Sequence, residues 1–418
     1  MHVRKPYLQQ KEARQQNTSL LLRDLWRHGP LSKAMLAQRN GLTKATVSTI
    51  CRELDAKGLI REAGQTRSGV GRPGDLIELN PSGRCSIGVE ISTNYVAAGL
   101  TDLTGQLLWQ QSVPIMIGGH HESMLTEVQN LITLALEQAQ KCGSVLLGIG
   151  VGVPGVVNHR VNSPALGWKE VPLQQLLEQR FQVPVMVENK ARAAAMAEAL
   201  HGSARDAACF VYVSVGTDVR SSVEAAVVND GFLFRGASGR GVDAGHMVLD
   251  PGGPVCACGQ RGCWQAMTDV DCEVVITRQR LQAGEVSVLQ VYAADQYVAL
   301  DHRVIHQAAV EGDALAKDVV KTVVTNHAQG ITNLVLLFDP ELVVIGWETM
   351  VLPADFISRM RIIDNIPELS AARMVHDRLA GRGITPPKIV HAMLDPEVVM
   401  IGAAALLIGE FFRTPPAA

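Results

Sequence analysis

The chain has 418 residues, which is too long for one ordinary domain and predicts two or three. Because hydrophobic residues make up 47% of the chain and charged residues only 19%, it can bury a large core, and a mostly disordered protein is excluded. The net charge of −3 is unevenly spread, since residues 1–80 hold 14 basic and 7 acidic residues and the remainder holds 24 and 34.

The sequence contains no secretion signal and no membrane span. Its first thirty residues carry basic and acidic groups throughout, and its longest uncharged apolar run, Val398 to Gly409, is too short to cross a bilayer. We therefore predict a cytoplasmic protein without a membrane partner, in which this apolar run forms a buried C-terminal helix.

The basic first eighty residues have the pattern of a helix-turn-helix. An apolar stripe over residues 21–25 predicts a helix that ends at Gly29-Pro30. Ser32 is expected to cap a second helix over residues 33–39, and Thr43 a third helix beyond a tight turn at residues 40–42. The third helix has its apolar residues at i, i+3, i+4 and i+7, which are Val47, Ile50, Cys51 and Leu54.

The polar side of this third helix is suited to DNA. Small, polar and basic side chains occupy its leading turn and outer face, where they can approach base edges and phosphates. The candidate DNA-binding residues of the two helices are Ser32, Thr43, Lys44, Ala45, Thr46, Ser48, Thr49 and Arg52. The alternative is a helical hairpin that binds another protein and has a merely solvated basic surface.

Two short strands are predicted over residues 58–62 and 75–79, with a basic, glycine-rich loop between them. As the wing of a winged helix-turn-helix, this loop could place Arg67 and Arg72 against the DNA backbone or in a minor groove. A flexible hinge would have the same composition. We assign residues 1–80 to a winged helix-turn-helix domain and residues 81–418 to an effector-binding domain.

The effector-binding domain has a repeated α/β pattern. Strands are predicted over residues 86–91, 95–101, 107–113 and 145–151, with a helix around residues 124–135. A similar order follows, with strands over residues 209–215, 225–229 and 343–346 and a helix over residues 314–336. This repetition predicts a duplicated α/β architecture with a ligand-binding cleft between its halves.

Four residues within a glycine-rich segment have the spacing of a metal site. His246, Cys256, Cys258 and Cys263 offer one imidazole and three thiolates, which fit a closed, tetrahedral structural zinc site. Without a metal, buried thiolates would repel one another, and a redox pair of cysteines would leave the histidine and the third cysteine unexplained. The other cysteines are expected to be ordinary small apolar residues, namely Cys51, Cys85, Cys142, Cys209 and Cys272.

These motifs resemble the ROK family, which contains bacterial sugar kinases and sugar-responsive repressors. The most specific match is Gly245-His246 followed by Cys256-Ala257-Cys258-Gly259-Gln260-Arg261-Gly262-Cys263. Supporting matches are Gly71-Arg72-Pro73, Gly152-Val153-Pro154-Gly155, Gly167-Trp168 and residues 187–189 and 338–346. The resemblance implies an actin-like, two-lobed fold of the sugar kinase/Hsp70/actin superfamily, assembly into homodimers or tetramers, and a sugar in the cleft.

The kinase machinery of the family is altered in this chain. Family kinases carry Glu-Asn-Asp-Ala-Asn, whose Asp is the general base, where this sequence reads Glu188-Asn189-Lys190-Ala191-Arg192. A protonated lysine cannot accept a hydroxyl proton, and losing a general base typically costs about 10²–10⁴-fold in rate. Both phosphate loops, at residues 90–94 and 216–222, also carry side chains in place of glycines that close on phosphate. We therefore predict that the protein is not an enzyme.

The resemblance places the effector against Pro154, Gly155, Asn189, Lys190, Arg192, Asp243, His246 and Gln265. In the family the histidine both ligates zinc and contacts the sugar, which would couple the metal to the ligand. The cations Lys190 and Arg192 suggest an anionic sugar derivative as effector. The alternative is that Lys190 pairs with Asp243 inside a pocket that still takes a neutral sugar, or nothing.

The sequence therefore predicts a transcription regulator of carbohydrate genes, most simply a repressor. The winged helix-turn-helix domain, here called the head, would bind a double-stranded operator as a two-fold dimer. The effector would change the closure of the two lobes, and the segment that holds the zinc would transmit this change to the heads. Two alternatives remain: a sugar kinase with an appended DNA-binding head, and a regulator controlled by a protein partner.

Overall fold

The computed structural model describes residues 6–65, 75–115, 121–216, 223–294, 300–347, 364–394 and 397–414. The chain divides into two compact units, one formed by residues 1–201 together with 398–418, and the other by residues 202–397. No described helix is long and apolar enough to cross a membrane.

The amino-terminal head is a small α/β domain with the order expected of a winged helix. Its elements are α1 (Pro6–His28), β1 (Leu31–Ser32), α2 (Lys33–Arg39), α3 (Lys44–Ala56), β2 (Ile60–Gln65) and β3 (Asp75–Leu79). The three strands form an antiparallel sheet in the order β1-β3-β2. Gly41 has φ +63, which allows the tight turn between α2 and α3. The predicted helices and strands of the head are confirmed, but α1 begins at Pro6, well before its apolar stripe.

The first unit continues as a lobe built on a five-stranded sheet. Its strands are β4 (Arg84–Ile91), β5 (Tyr95–Asp102), β6 (Leu107–Pro114), β7 (Val145–Val153) and β11 (Val185–Asn189), in the order β11-β7-β4-β5-β6. A separate three-stranded sheet contains β8 (Val156–Asn158), β9 (Arg160–Ser163) and β10 (Trp168–Val171). The helices are α4 (His121–Cys142), α5 (Leu173–Phe181) and α6 (Lys190–Leu200). The apolar face of α4 packs on this sheet, as its sequence pattern predicts.

The second unit contains a sheet of the same design. Its strands are β12 (Cys209–Val215), β13 (Val223–Asn229), β14 (Phe232–Leu233), β15 (Leu342–Trp347) and β16 (Lys388–His391), in the order β14-β13-β12-β15-β16. Its helices are α7 (Trp264–Thr268), α8 (Val270–Gln282), α9 (Gln290–Ala294), α10 (His302–Glu311), α11 (Ala314–Phe338) and α12 (Ala371–Ala380). In both sheets three consecutive antiparallel strands are extended by two parallel ones, so the predicted duplication is confirmed.

The last helix, α13 (Val398–Arg413), returns to the first unit and is buried along most of its length, as predicted. It packs against β4, β7 and α6 through glycines that leave no room for a side chain. A Cβ atom at Gly88 or Gly150 would overlap the backbone carbonyl of Met400 or Ala403. The helix therefore lies directly on the sheet.

Candidate functional sites

The predicted metal ligands form one cluster in the second unit. One ligand atom from each of His246, Cys256, Cys258 and Cys263 lies within 4.8 Å of all the others. The Cys256 Sγ is 3.7 Å from the His246 Nδ1, and the Cys258 Sγ is 3.7 Å from the Cys263 Sγ. Gly262 has φ +66 and packs on the Asp250 carbonyl so closely that a Cβ atom would overlap it. This glycine allows the chain to fold back around the cluster.

The donor set of this cluster fits a metal ion. Burial, together with hydrogen bonds to Cys258 and Cys256, raises the pKa of the Cys263 thiol to about 12. A divalent cation among the four donors would supply the positive charge that holds these thiols as thiolates. One nitrogen and three sulfur donors at this spacing suit a tetrahedral ion.

Two residues that follow Cys263 tie the cluster to its surroundings. The Gln265 Nε2 donates to the Cys256 Sγ at 3.4 Å, which places this predicted effector residue against a metal ligand. The buried Trp264 indole lies on Gly330 of α11, and its Nε1 donates to the His327 Nδ1 at 3.3 Å. Burial lowers the pKa of His327 to about 4, so this imidazole is neutral at pH 7. Sequence reasoning missed His327, because a single histidine in a long helix has no distinguishing spacing.

The other five cysteines differ in exposure. Cys51 and Cys85 are buried, and Cys209 and Cys272 are partly buried. Cys142 is exposed, so the expectation of an ordinary small apolar residue is wrong there. It is the last residue of the amphipathic helix α4.

The predicted effector residues of the first unit meet at the start of α6. Asn189 caps this helix, since its Oδ1 accepts from the Ala191 N at 2.9 Å and the Arg192 N at 3.3 Å. Its Nδ2 donates to the Gly155 carbonyl at 3.0 Å, which fixes the Pro154-Gly155 loop beside the helix. The structure therefore brings Pro154, Gly155 and Asn189 together, with Asn189 acting as the brace between loop and helix.

We call the residues around the start of α6 the effector half-site, namely Pro154, Gly155, Glu188, Asn189, Lys190 and Arg192. Lys190 and Arg192 are both buried there, with exposed fractions of 5% and 6%. The Arg192 Nη1 pairs with the Glu188 Oε1 at 2.9 Å, and Glu188 also accepts from the Asn189 backbone N–H. Glu188 thus contacts two of the predicted effector residues, and sequence reasoning did not assign it to the site although it is only four residues from Arg192.

Glu90 is a second buried carboxylate on the same row of the sheet. In the strand register, Gly152 of β7 lies between Glu90 of β4 and Glu188 of β11. An ideal Cβ atom at Gly152 would be 3.7 Å from the Lys190 Cα, so this row faces the first turn of α6. The Tyr95 hydroxyl donates to the Glu90 Oε1 at 2.6 Å. Two buried cations therefore lie over a row that contains two buried carboxylates.

The remaining effector residues, Asp243, His246 and Gln265, belong to the second unit. Asp243 and His246 are exposed, whereas Gln265 is half-buried. Asp243 follows Val242, which has φ +63, a left-handed conformation that is unusual for a β-branched side chain. This segment leads directly into the metal ligand His246.

In the head, the predicted DNA-facing helix α3 and the preceding helix α2 each have the N-cap expected from the sequence. The Ser32 hydroxyl accepts from the Met35 N at 3.2 Å, and the Thr43 hydroxyl accepts from the Thr46 N at 3.1 Å. Ser32 is buried and caps α2. On and beside α3 the exposed residues are Thr43, Lys44, Ala45, Thr49 and Arg52, while Thr46 and Ser48 are half-buried. The wing residues Arg67 and Arg72 lie outside the described residues.

The turn of this motif is held to the preceding helix. The Asp24 Oδ2 of α1 accepts from the Asn40 Nδ2 at 2.7 Å and from the Arg39 Nε at 3.2 Å. The first helix and the turn before α3 therefore form one hydrogen-bonded block.

Comparison with known proteins gives two family matches, the ROK family over residues 86–410 and the MarR family over residues 18–68. The xylose repressor of Caldicellulosiruptor bescii is 27% identical over 413 residues, covering 96% of this chain and 98% of that protein. The DNA-binding transcriptional repressor Mlc of Escherichia coli (strain K12) is 28% identical and covers 80% of this chain and 81% of its own.

Two crystal structures resemble the fold. A ROK family transcriptional regulator, a homologue of the E. coli Mlc protein, superimposes with a TM-score of 0.74 and 24% identity, over 96% of this chain and 97% of the other. A ROK hexokinase from Thermus thermophilus gives a TM-score of 0.59 and 26% identity, over 77% of this chain and 97% of the other. The kinase match therefore covers a smaller share of this chain than the regulator match does.

Proposed function

The chain belongs to the ROK family, and from that premise we propose that it is a transcription regulator whose head binds operator DNA under the control of a sugar. The observation that carries this proposal is the capped helix α3, whose exposed side holds Lys44, Ala45, Thr49 and Arg52 on a MarR-type head. Relatives that match the full length of the chain, head included, bear the name xylose repressor. Repression of carbohydrate genes is the simplest role consistent with these features.

The charges of the half-site favour a neutral effector over an anionic one. Arg192 is paired with Glu188 at 2.9 Å, so its charge is compensated within the protein. Lys190 lies above a sheet row that also contains Glu90, a second buried carboxylate. Because Arg192 is already paired and Glu90 lies on the row beneath Lys190, an added phosphate or carboxylate would meet a buried carboxylate as well as a cation. A neutral sugar, with D-xylose as the first candidate, suits it better.

The metal cluster supports a structural zinc ion. His246, Cys256, Cys258 and Cys263 would hold the ion, and no further described His, Cys, Asp or Glu completes the cluster. The ion would accept electron pairs only from these four protein ligands, so its role would be structural. It would fix the segment that carries Gln265. Elemental analysis should find one zinc per chain.

The same half-site argues against phosphoryl transfer. A buried lysine, Lys190, stands where the family kinases carry the carboxylate that accepts a hydroxyl proton, and the neighbouring Arg192 and Glu188 pair with each other. An ADP-release assay with ATP, Mg²⁺ and a panel of neutral sugars should show no turnover above background. Sugar-dependent ADP release would favour a kinase with an appended head.

The experiment that tests the function is retention of DNA from the promoter region of the chain's own gene. We expect the purified protein to bind this DNA, and we expect one neutral sugar among D-xylose, D-glucose and N-acetyl-D-glucosamine to release it. D-glucuronate and D-glucose 6-phosphate should have no effect. Lys44→Ala should weaken binding to all DNA sequences and lower the salt dependence by about one phosphate contact.

Lys141→Ala, an exposed basic residue near the end of α4, is the matched control for charge loss and should leave DNA binding unchanged. Failure to bind any DNA would overturn the assignment of the head. DNA binding that no sugar changes would instead favour control by a protein partner. Binding as a two-fold dimer predicts inverted half-sites in the protected DNA.

A further inference from the structure

We propose that the C-terminal helix α13 is the mechanical link through which the effector half-site controls the DNA-binding head. This inference rests on the proposed function, since it names the route by which the two sites of that function are coupled. All the elements involved belong to the first unit. The helix touches the half-site at one end and the head at the other.

The first half of α13 is locked against α6 and the Gly152 strand. A Cβ atom at Gly402 would overlap the backbone carbonyl of Ala193 and come within 3.2 Å of the Ala194 nitrogen, so the two helices are in direct backbone contact. An ideal Cβ at Gly152 would lie 2.5 Å from the Val399 Cγ1. The same helix therefore touches both the loop strand and the helix that carry the effector residues.

The second half of α13 completes the core of the head. Ile408 and Phe412 are fully buried in one cluster with Leu21, Leu22 and Leu25 of α1. The Phe412 ring meets the Trp26 ring edge to face, with centroids 5.1 Å apart and an interplanar angle of 84°. The head is thus packed around the end of a helix that begins beside the effector half-site.

A close-packed helix transmits displacement because its interfaces do not deform continuously. Gly402 and Phe412 are ten residues apart, or about 15 Å along the helix. A shift of α6 on effector binding would move α13 as a body and displace α1 at its far end. The hydrogen bonds from Asp24 to Arg39 and Asn40 would carry that displacement to the turn before α3.

Leu103, in the turn between β5 and β6, also joins the core of the head. It belongs to the body of the lobe, so it can anchor the head without following a movement of α6. The contacts that α13 makes with α6 are what distinguish it as the moving element.

A double-mutant cycle tests the link without a ligand. Gly402→Ala must displace α13 from α6, and we expect it to change the dissociation constant for operator DNA by at least fivefold. Phe412→Ala removes the contact with the head, and in that background Gly402→Ala should have less than a twofold effect. Additive effects of the two substitutions, or no effect of Gly402→Ala on DNA binding, would overturn the proposal.

Gly409→Ala is the matched control, because a Cβ atom there would meet only Trp26 ring atoms at 3.8 Å, an ordinary contact. It has the same gain in helix propensity and should leave the operator affinity within twofold of wild type. Far-UV and near-UV circular dichroism of each variant would establish that it folds. Phe412→Leu, which keeps an apolar side chain in the core, replaces Phe412→Ala if the latter unfolds the head.

A second readout uses a sugar as the probe. The probe is D-xylose, or the sugar that releases DNA in the promoter assay if that is a different one. In Phe412→Ala, calorimetric affinity for D-xylose should stay within twofold of wild type, while the sugar no longer changes the operator affinity. Phe181→Ala, an aromatic truncation in the lobe core away from the head, should retain the sugar response. A Phe412→Ala protein that still releases DNA on addition of sugar would refute the link and leave the proposed function intact. A wild-type protein that binds no DNA would refute the function itself.

Discussion

At the scale of single residues, the segment that contains the predicted metal ligands is held by uncharged side chains at neutral pH. The Trp264 indole is buried and donates to His327, a half-buried residue of α11. Because a charged imidazole is poorly solvated there, the folded protein favours the neutral form. The hydrogen bond between Trp264 and His327 therefore helps to position Cys263 and Gln265, which lie on either side of Trp264 in the chain.

This arrangement predicts a loss of stability on mild acidification. Since burial lowers the pKa of His327 from 6.5 to about 4, its contribution is present above pH 6.5 and is lost as the pH falls toward 4. The free energy of unfolding should fall by up to about 3 kcal/mol from this group over that range. Protonation of the metal ligands acts in the same direction, so the measurement is the difference between wild type and His327→Gln. The variant should show a shallower fall of the melting temperature between pH 6.5 and 4, and parallel profiles would contradict the assignment.

The cysteine ligands give a second prediction at this scale. Cys256→Ser replaces a thiolate that is buried and accepts from the Gln265 amide, and it should reduce the zinc content well below one per chain. Its melting temperature should fall and become insensitive to added chelator. Cys142→Ser, at an exposed cysteine, is the control and should keep both values. Unchanged metal content in Cys256→Ser would remove this residue from the metal site.

At the scale of elements, helix α3 depends on its cap. The Thr43 hydroxyl accepts from the Thr46 backbone and also lies 2.9 Å from the Thr46 hydroxyl. Thr43→Ala should lower the free energy of unfolding by about 1 kcal/mol, as loss of an N-cap generally does. Because the same turn leads the DNA-facing side, operator affinity should fall as well.

Thr133→Ala is the control for this prediction. Thr133 is an exposed threonine in α4 whose hydroxyl bonds within its own helix, to the Gln129 carbonyl. Its substitution should change the free energy of unfolding by less than about 0.5 kcal/mol and leave operator binding intact. Equal effects of the two substitutions in urea unfolding would show that Thr43 does not act as a cap.

The elements with strong local signals are the ones that the sequence predicts well. Ser32 and Thr43 cap the helices expected of them, and the predicted apolar runs form the paired strands. The start of α1 was not predictable, because residues 12–18 are mostly exposed and carry no apolar period. Local patterns specify local hydrogen bonds, and these are what caps and strands consist of.

Contacts between distant parts of the chain have no such signal. The packing of Phe412 on Trp26 joins residues 386 positions apart, and only the fold brings them together. The cluster of His246, Cys256, Cys258 and Cys263 was predictable because its members lie close in sequence. Glu188 and Arg192 were equally close, but a single carboxylate beside a cation does not reveal whether the pair is buried.

At the scale of the whole molecule, a DNA-binding head and a sugar-kinase-like body are joined in one chain. The head shares its compact unit with the lobe that carries Asn189 and Lys190, and α1 shares one hydrophobic core with the end of α13. The family match explains the body, and the MarR match explains the head. The proposed function requires that the two sites influence each other.

The most direct test of that requirement is a calorimetric titration of D-xylose, or the sugar that releases the promoter DNA, into the protein alone and into its operator complex. Coupling is reciprocal, so the factor by which operator weakens sugar binding must equal the factor by which sugar weakens operator binding. We predict a weakening of at least tenfold in both directions. Sugar binding that is identical with and without operator would show that the two sites are independent and would contradict the account.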